Sequence, residues 1–117
     1  MDFNQQKPIY LQILDLISDR ILSGEYKAGE RIPSVREFGS VLGVNPNTVM
    51  RTFEKLTADG IIYNKRGIGY FISEDATSLI LGEERRVFLD EEIPRIVSRA
   101  KLLGVSPEEI YEKVKEV

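Results

Sequence analysis

After Pro8, Ile9, Ile13, Ile17 and Ile21 recur every four residues, and Leu14 and Leu22 widen the apolar stripe. That period predicts an amphipathic helix ending near Gly24, a floor for the elements that follow. Tyr10 and Gln12 on this helix could touch a phosphate or a partner, but packing and surface exposure are the roles expected of them. From Gly24 to Ile32 the period lapses, so this stretch reads as a loop closing on a short strand at Arg31–Ile32 that pairs with something later. A second helix starts at Val35, because Ser34 and Glu37 have the spacing of a capping box. Val35, Phe38 and Val41–Leu42 are its apolar stripe. Gly43 supplies a left-handed stop, with Val44 packing back under the turn. Asn45 caps a third helix and Pro46 occupies its first position, where a missing N–H costs nothing. Asp59–Gly60 ends it.

The third helix has two distinct faces. At about 100° per residue, Val49, Phe53 and Leu56 cluster on one side, opposite Asn47, Thr48, Arg51 and Lys55. Amide, hydroxyl, guanidinium and ammonium groups can read base edges and hold phosphates, and a helix fits the DNA major groove. Taken alone, such a face is equally an ordinary solvated one, and Glu54 at its edge favours that. The helix-turn-helix spacing tips the reading towards DNA. Next come two β-prone runs, Ile61–Asn64 and Tyr70–Ser73, flanking Lys65-Arg66-Gly67-Ile68-Gly69. They predict a hairpin with a basic, glycine-bearing tip, the wing of a winged helix. Gly67 and Gly69 permit positive φ, and Lys65 and Arg66 can meet phosphates or enter a minor groove.

Beyond the hairpin, Glu74–Ser78 reads as a polar linker. Leu79–Leu81 then precede a helical pattern from about Glu83 to Leu103, with Val87, Phe88, Ile93, Ile96, Val97, Ala100 and Leu103 apolar. Pro94 interrupts it as either a kink or, with Asp90 capping a fresh helix, a break. After Gly104, Ser106-Pro107-Glu108-Glu109 is a second capping box that opens a last helix with Ile110, Tyr111, Val114 and Val117 inward. The division expected is a DNA-binding domain over 1–75, able to fold alone when cut after Ser73, and a helical dimerisation region over 76–117. Two short helices must cover something. Packing on their own first domain is one solution; packing on a second chain is the preferred one, since an unpaired stripe would leave an apolar patch exposed. The dimerisation residues are Ile93, Ile96, Val97, Ala100, Ile110 and Val114.

Composition narrows the chemistry. The 117 residues are 42% hydrophobic and 30% charged, ordinary for a soluble globular protein of one small domain or one with an appendage. Without Cys or His there is no disulfide, thiol nucleophile, standard zinc site or His-based triad. No apolar run is long enough to span a membrane, and the Met1–Asp2–Phe3 start does not look like a signal peptide, so the cytoplasm is expected. The net charge of −3 is unevenly spread: nine basic against eight acidic residues up to Ser73, then seven against eleven. The first part can therefore still present a locally basic face through Arg36, Arg51, Lys55, Lys65 and Arg66.

The runs P-I-Y-L-Q-I, G-E-Y-K-A-G-E-R-I-P-S-V-R-E-F, G-V-N-P-N-T-V, L-T-A-D-G-I-I and R-G-I-G-Y-F-I, in that order from about Pro8 to Ser73, resemble the DNA-binding domain of GntR-family bacterial transcription regulators. The short tail is similar to that of the YtrA-like branch, which carries a small helical tail in place of a ligand-binding domain. The resemblance implies a mainly α (α+β) fold, a winged helix-turn-helix followed by a two-helix tail. It also implies a homodimeric repressor, often of transporter operons, that binds a double-stranded DNA operator. Arg36 matches the family's Arg that contacts bases, Thr48 the Thr of the recognition helix, and Gly67 and Gly69 the G-x-G of the wing. Pro46 and Met50 stand where many members place Arg, while Arg51 is basic here. The residues expected on DNA are Ser34, Arg36, Asn45, Asn47, Thr48, Arg51, Lys55, Lys65, Arg66, Gly67 and Gly69. They lie on or near the helix over 46–58 and the wing over 61–73.

No catalytic residue, metal ligand or cofactor is expected: no carboxylate pair sits in an acid/base setting, and Gly67–Gly69 is not a phosphate-binding loop. The alternative of another class is a winged-helix protein-interaction module without direct DNA binding, which the overall acidity favours slightly. Whether a small-molecule effector binds stays open, since the tail is too short to enclose by itself a pocket of roughly several hundred cubic ångströms.

Overall fold

A computed structural model describes residues 7–117; the Met1–Asp2–Phe3 start lies outside the described residues. Helix α1 spans Ile9–Leu22, α2 Val35–Leu42 and α3 Pro46–Ala58. Strands β1 (Ile62–Lys65) and β2 (Gly69–Ile72) form an antiparallel hairpin, and α4 (Ala76–Val87), α5 (Ile93–Leu103) and α6 (Pro107–Lys115) complete the chain. The chain separates into two compact units, one reaching Leu81 and the other starting at Gly82.

The core of the first unit is where the periodicity places it. Ile13, Ile17 and Ile21 of α1 meet Phe38 of α2, Val49, Phe53 and Leu56 of α3, and Ile62 and Ile72 of the hairpin. Phe53 is the hub. Its ring meets Phe38 edge-on at 5.8 Å and Tyr70 at 4.8 Å, the geometry that ring quadrupoles favour. Val41 departs from the expected stripe: it is 82% exposed. Eight residues give α2 little more than two turns, and Val35, Phe38 and Leu42, spaced one turn apart, are the residues that meet the core.

The turn between α2 and α3 depends on a glycine inside α2. Val44 N–H donates to Gly39 O at 2.9 Å. A Cβ at Gly39 would lie only 2.9 Å from Val44 O and 3.4 Å from Pro46 Cγ. Gly43, at φ 68°, reverses the chain in the left-handed conformation its position demands.

The expected strand at Arg31–Ile32 is a single antiparallel bridge, Arg31 with Phe71. Ile32 N–H donates to Tyr70 O at 3.0 Å and Ile72 N–H to Glu30 O at 3.0 Å, which ties the loop before α2 to the wing.

The stretch over 74–78 is not a linker. Helix α4 already starts at Ala76, and Ala76 and Ile80, one turn apart, are buried in the first unit's core. A cut after Ser73 would remove both, so the buried core of the first unit extends past Ser73.

In the second unit the helix neither breaks nor restarts at Asp90. A π-helical turn, Phe88–Glu92, joins α4 to α5, with Ile93 N–H bonded to Phe88 O five residues back. Pro94 lacks an N–H and its ring crowds the preceding turn, and the wider π turn accommodates both. Arg86 spans this turn, donating to Glu83 at 2.8 and 3.1 Å and to Glu91 at 3.2 Å. Helix α6 opens with the predicted box: Ser106 Oγ accepts from Glu109 N–H, and Glu109 accepts from Ser106 N–H.

Candidate nucleic-acid interface

Two N-terminal helix caps set the site. At α2, Ser34 Oγ accepts from Glu37 N–H at 3.1 Å while the Glu37 carboxylate accepts from Ser34 N–H at 3.2 Å. The backbone donor of Ser34 and the Ser34 hydroxyl hold the Glu37 carboxyl below its usual range, and nearby Arg31 adds to the effect. Arg36 follows on the exposed first turn. At α3, Asn45 Oδ1 accepts from Asn47 N–H at 2.8 Å. That bond uses the carbonyl end of Asn45 and leaves its amide NH2 as a donor. Ser34 and Asn45 therefore act first as caps.

Along α3, Asn47, Arg51 and Lys55 are exposed and Thr48 is half-buried, while Val49, Thr52, Phe53 and Leu56 face the core. The polar face is the one predicted, with two differences in detail. Lys55 Nζ is paired with Asp59 at 3.3 Å, so its charge is partly answered by the residue that caps the C-terminus of α3. Arg51 instead lies over the ring of Tyr10, its guanidinium carbon 3.9 Å from the centroid. Among the described residues no ion pair engages Arg36, Arg51, Lys65 or Arg66. These four cations are uncommitted to carboxylates and suited to an anionic partner.

The hairpin register is Ile62 with Ile72, Tyr63 with Phe71, Asn64 with Tyr70 and Lys65 with Gly69. Each strand is thus one residue closer to the tip than the apolar runs indicated, and Lys65 and Gly69 pair across the ladder. Arg66, Gly67 and Ile68 make the tip. Ile68 N–H donates to Lys65 O at 2.9 Å, and Gly67 has φ 80°, as the third position of a type II turn requires. Gly69 has φ 142°. A Cβ there would lie 2.7 Å from Arg31 Nε, so the Arg31 side chain runs beside the wing. Lys65 Nζ sits 4.4 Å from the Phe71 ring centroid, and Phe71 stacks on Tyr63 at 5.8 Å.

The sequence reading gave no role to Thr52 or to the Arg31 side chain, and did not connect Tyr10 with α3. Thr52 is fully buried, and its hydroxyl donates to Tyr10 O at 2.6 Å; a β-branched polar residue among apolar ones was the available signal. Arg31 adjoins Gly69 only because the loop bridge folds it there, which nothing in local spacing reveals. Among the described residues no group of His, Cys, Asp and Glu could hold a metal ion, and no helix is long and apolar enough to cross a membrane.

Known proteins share this arrangement. The HTH-type transcriptional repressor YtrA of Bacillus subtilis (strain 168) is 34% identical over 117 residues, which is 100% of this chain and 89% of that protein. The crystal structure of a putative transcriptional regulator of the GntR family from Bacteroides thetaiotaomicron superposes with a TM-score of 0.81 at 45% identity, covering 92% of this chain and 94% of that one. The DNA-binding domain of AraR in complex with operator ORR3 matches with a TM-score of 0.57 at 26% identity, over 62% of this chain and 88% of that one. The family model for bacterial regulatory proteins of the gntR family matches residues 9–72, from the start of α1 to the end of β2. With more than half of its length inside that match, the chain belongs to the GntR family of bacterial regulatory proteins.

Proposed function

We propose that this chain is a sequence-specific, dimeric transcriptional repressor of the bacterial cytoplasm that binds a double-stranded operator containing an inverted repeat. The observation that carries the reading is the capped, core-anchored α3, whose exposed face holds Asn47 and the unpaired Arg51 while Arg36 stands at the start of α2. In this reading Arg36, Asn47, Thr48 and Arg51 face base edges in the major groove. Lys65 and Arg66 hold phosphate or enter the adjacent minor groove, and Gly67 and Gly69 let the wing's backbone approach. Ser34 and Asn45 contribute the helix starts and their remaining donors, and Lys55 a phosphate contact shared with Asp59. The repressor YtrA and the operator-bound AraR domain support DNA as the partner over a protein-interaction role.

The dimer is assigned to α5 and α6. Ile96 is 51% exposed and Val114 63%, with Val97 exposed and Ile93 and Ile110 half-buried; these apolar side chains need a cover. Ala100 is already buried and offers a second chain little surface. Selecting bound duplexes from a random-sequence pool tests the whole reading. It should enrich an inverted repeat with half-sites about one helical turn, roughly 10 bp, apart, or at another spacing that keeps both on one face. Failure to enrich any sequence, or enrichment of an isolated single half-site, would contradict it.

A further inference from the structure

Tyr10, in the first turn of α1, touches α3 twice at consecutive residues. Its ring lies under the Arg51 guanidinium at 3.9 Å, and its carbonyl accepts the hydroxyl of the fully buried Thr52 at 2.6 Å. The second contact pins the backbone of α1 to α3 and so fixes where the ring stands. The first restrains a long, rotamer-rich side chain that would otherwise sample solvent. A contact with a ring consumes none of the guanidinium's strong acceptor-seeking N–H donors, which stay available for a guanine edge or a phosphate, whereas a carboxylate partner would occupy them.

We propose that Tyr10 is a positioning residue for DNA recognition: its ring pre-orients Arg51, so that the guanidinium meets DNA in one geometry. The inference rests on the role given to Arg51 above. Pre-orientation removes an ordering cost from binding, and the preference for operator over random duplex depends on it more than the fold does.

The test is a double-mutant cycle on Tyr10 and Arg51. Affinity is read on the duplex selected by the wild-type chain and on a random duplex of equal length. Tyr10→Leu is expected to weaken the selected duplex about five- to tenfold and the random one much less, in line with an aromatic–cation contact. Tyr10→Phe keeps the ring and should match wild type within about twofold. In an Arg51→Ala background, Tyr10→Leu should have no further effect on the selected duplex. A Tyr10→Leu loss that persists in that background would make Tyr10 a purely structural residue and overturn the inference. So would an unchanged affinity for Tyr10→Leu while Arg51→Ala weakens the selected duplex. Arg51→Ala without effect on either duplex would remove the recognition role of Arg51 itself, and the inference with it.

Discussion

The two units use the same rules for their helices and differ in what those helices cover. In the first, Ser34 and Glu37 form a capping box, Pro46 opens α3, and Gly43 ends α2. In the second, Ser106 and Glu109 form the same box, Pro107 opens α6, and Gly104 ends α5. Yet the first unit closes a core around Phe53 that leaves Ile13, Ile17, Val49 and Leu56 without solvent contact, while α5 and α6 leave Ile96, Leu103 and Val114 exposed. Local signals decide where helices start and stop. Burial is decided by what the rest of the chain brings to the helix face, and in the second unit the cover proposed above is a second copy of this chain.

The largest expected effect separates the two units by stability. Phe53→Ala removes the hub of the core and should cost about 3–5 kcal/mol, read as a shift in the urea midpoint of the full chain. Ile96→Ala removes a half-exposed side chain and should leave unfolding of the first unit unchanged while weakening self-association. A loss of similar size for Ile96→Ala would mean that the second unit has a closed core of its own and needs no partner.

Gly69→Val should come next, in function more than in stability. A β-branched residue at φ 142° is strained, and the new side chain meets Arg31. The far-ultraviolet circular dichroism should stay near wild type while affinity for the selected duplex falls by about tenfold or more, as for loss of phosphate contacts. Unchanged affinity would take the wing out of the interface.

Much of the scaffold of the candidate interface was legible because its signals are local. The capping boxes, Pro46 and Gly43 act within a turn of where they stand, and the apolar period of α1 and α3 repeats often enough to define a face. The first turn of α4 was not legible: Ala76 stands between the acidic pair Glu74–Asp75 and the polar Thr77–Ser78, and Ala76 with Ile80 is too short a repeat to outweigh them. The π turn escaped notice because the chain answers Pro94 by widening the helix, a choice set by the backbone and not by any residue type. Tyr10 was read from its own helix alone, and its contact with Arg51 comes from a residue 41 positions away in sequence.

The smallest effect concerns the two boxes. Ser34→Ala and Ser106→Ala should each cost their helix about 1 kcal/mol, but only Ser34→Ala should also weaken binding to an isolated half-site, because only α2 carries Arg36. Glu37, held below its usual range when folded, gives its cap contribution fully above the pKa of an unfolded glutamate and loses it as pH falls through the folded value. Thermal melts through the acid range should show the wild type losing more stability there than Glu37→Gln. Parallel curves would remove the carboxylate from the cap.

The most direct test measures the full chain and a chain ending at Leu81 on the selected inverted repeat and on the same duplex with one half-site scrambled. The shorter chain keeps Ala76 and Ile80, so its core is intact. Joining two half-site contacts makes the second one intramolecular. The account therefore predicts that scrambling weakens the full chain by a factor on the order of a hundred or more and leaves the shorter chain's affinity for the remaining half-site unchanged. A shorter chain that binds the intact repeat as tightly as the full one, or a full chain indifferent to the scrambled half-site, would contradict it.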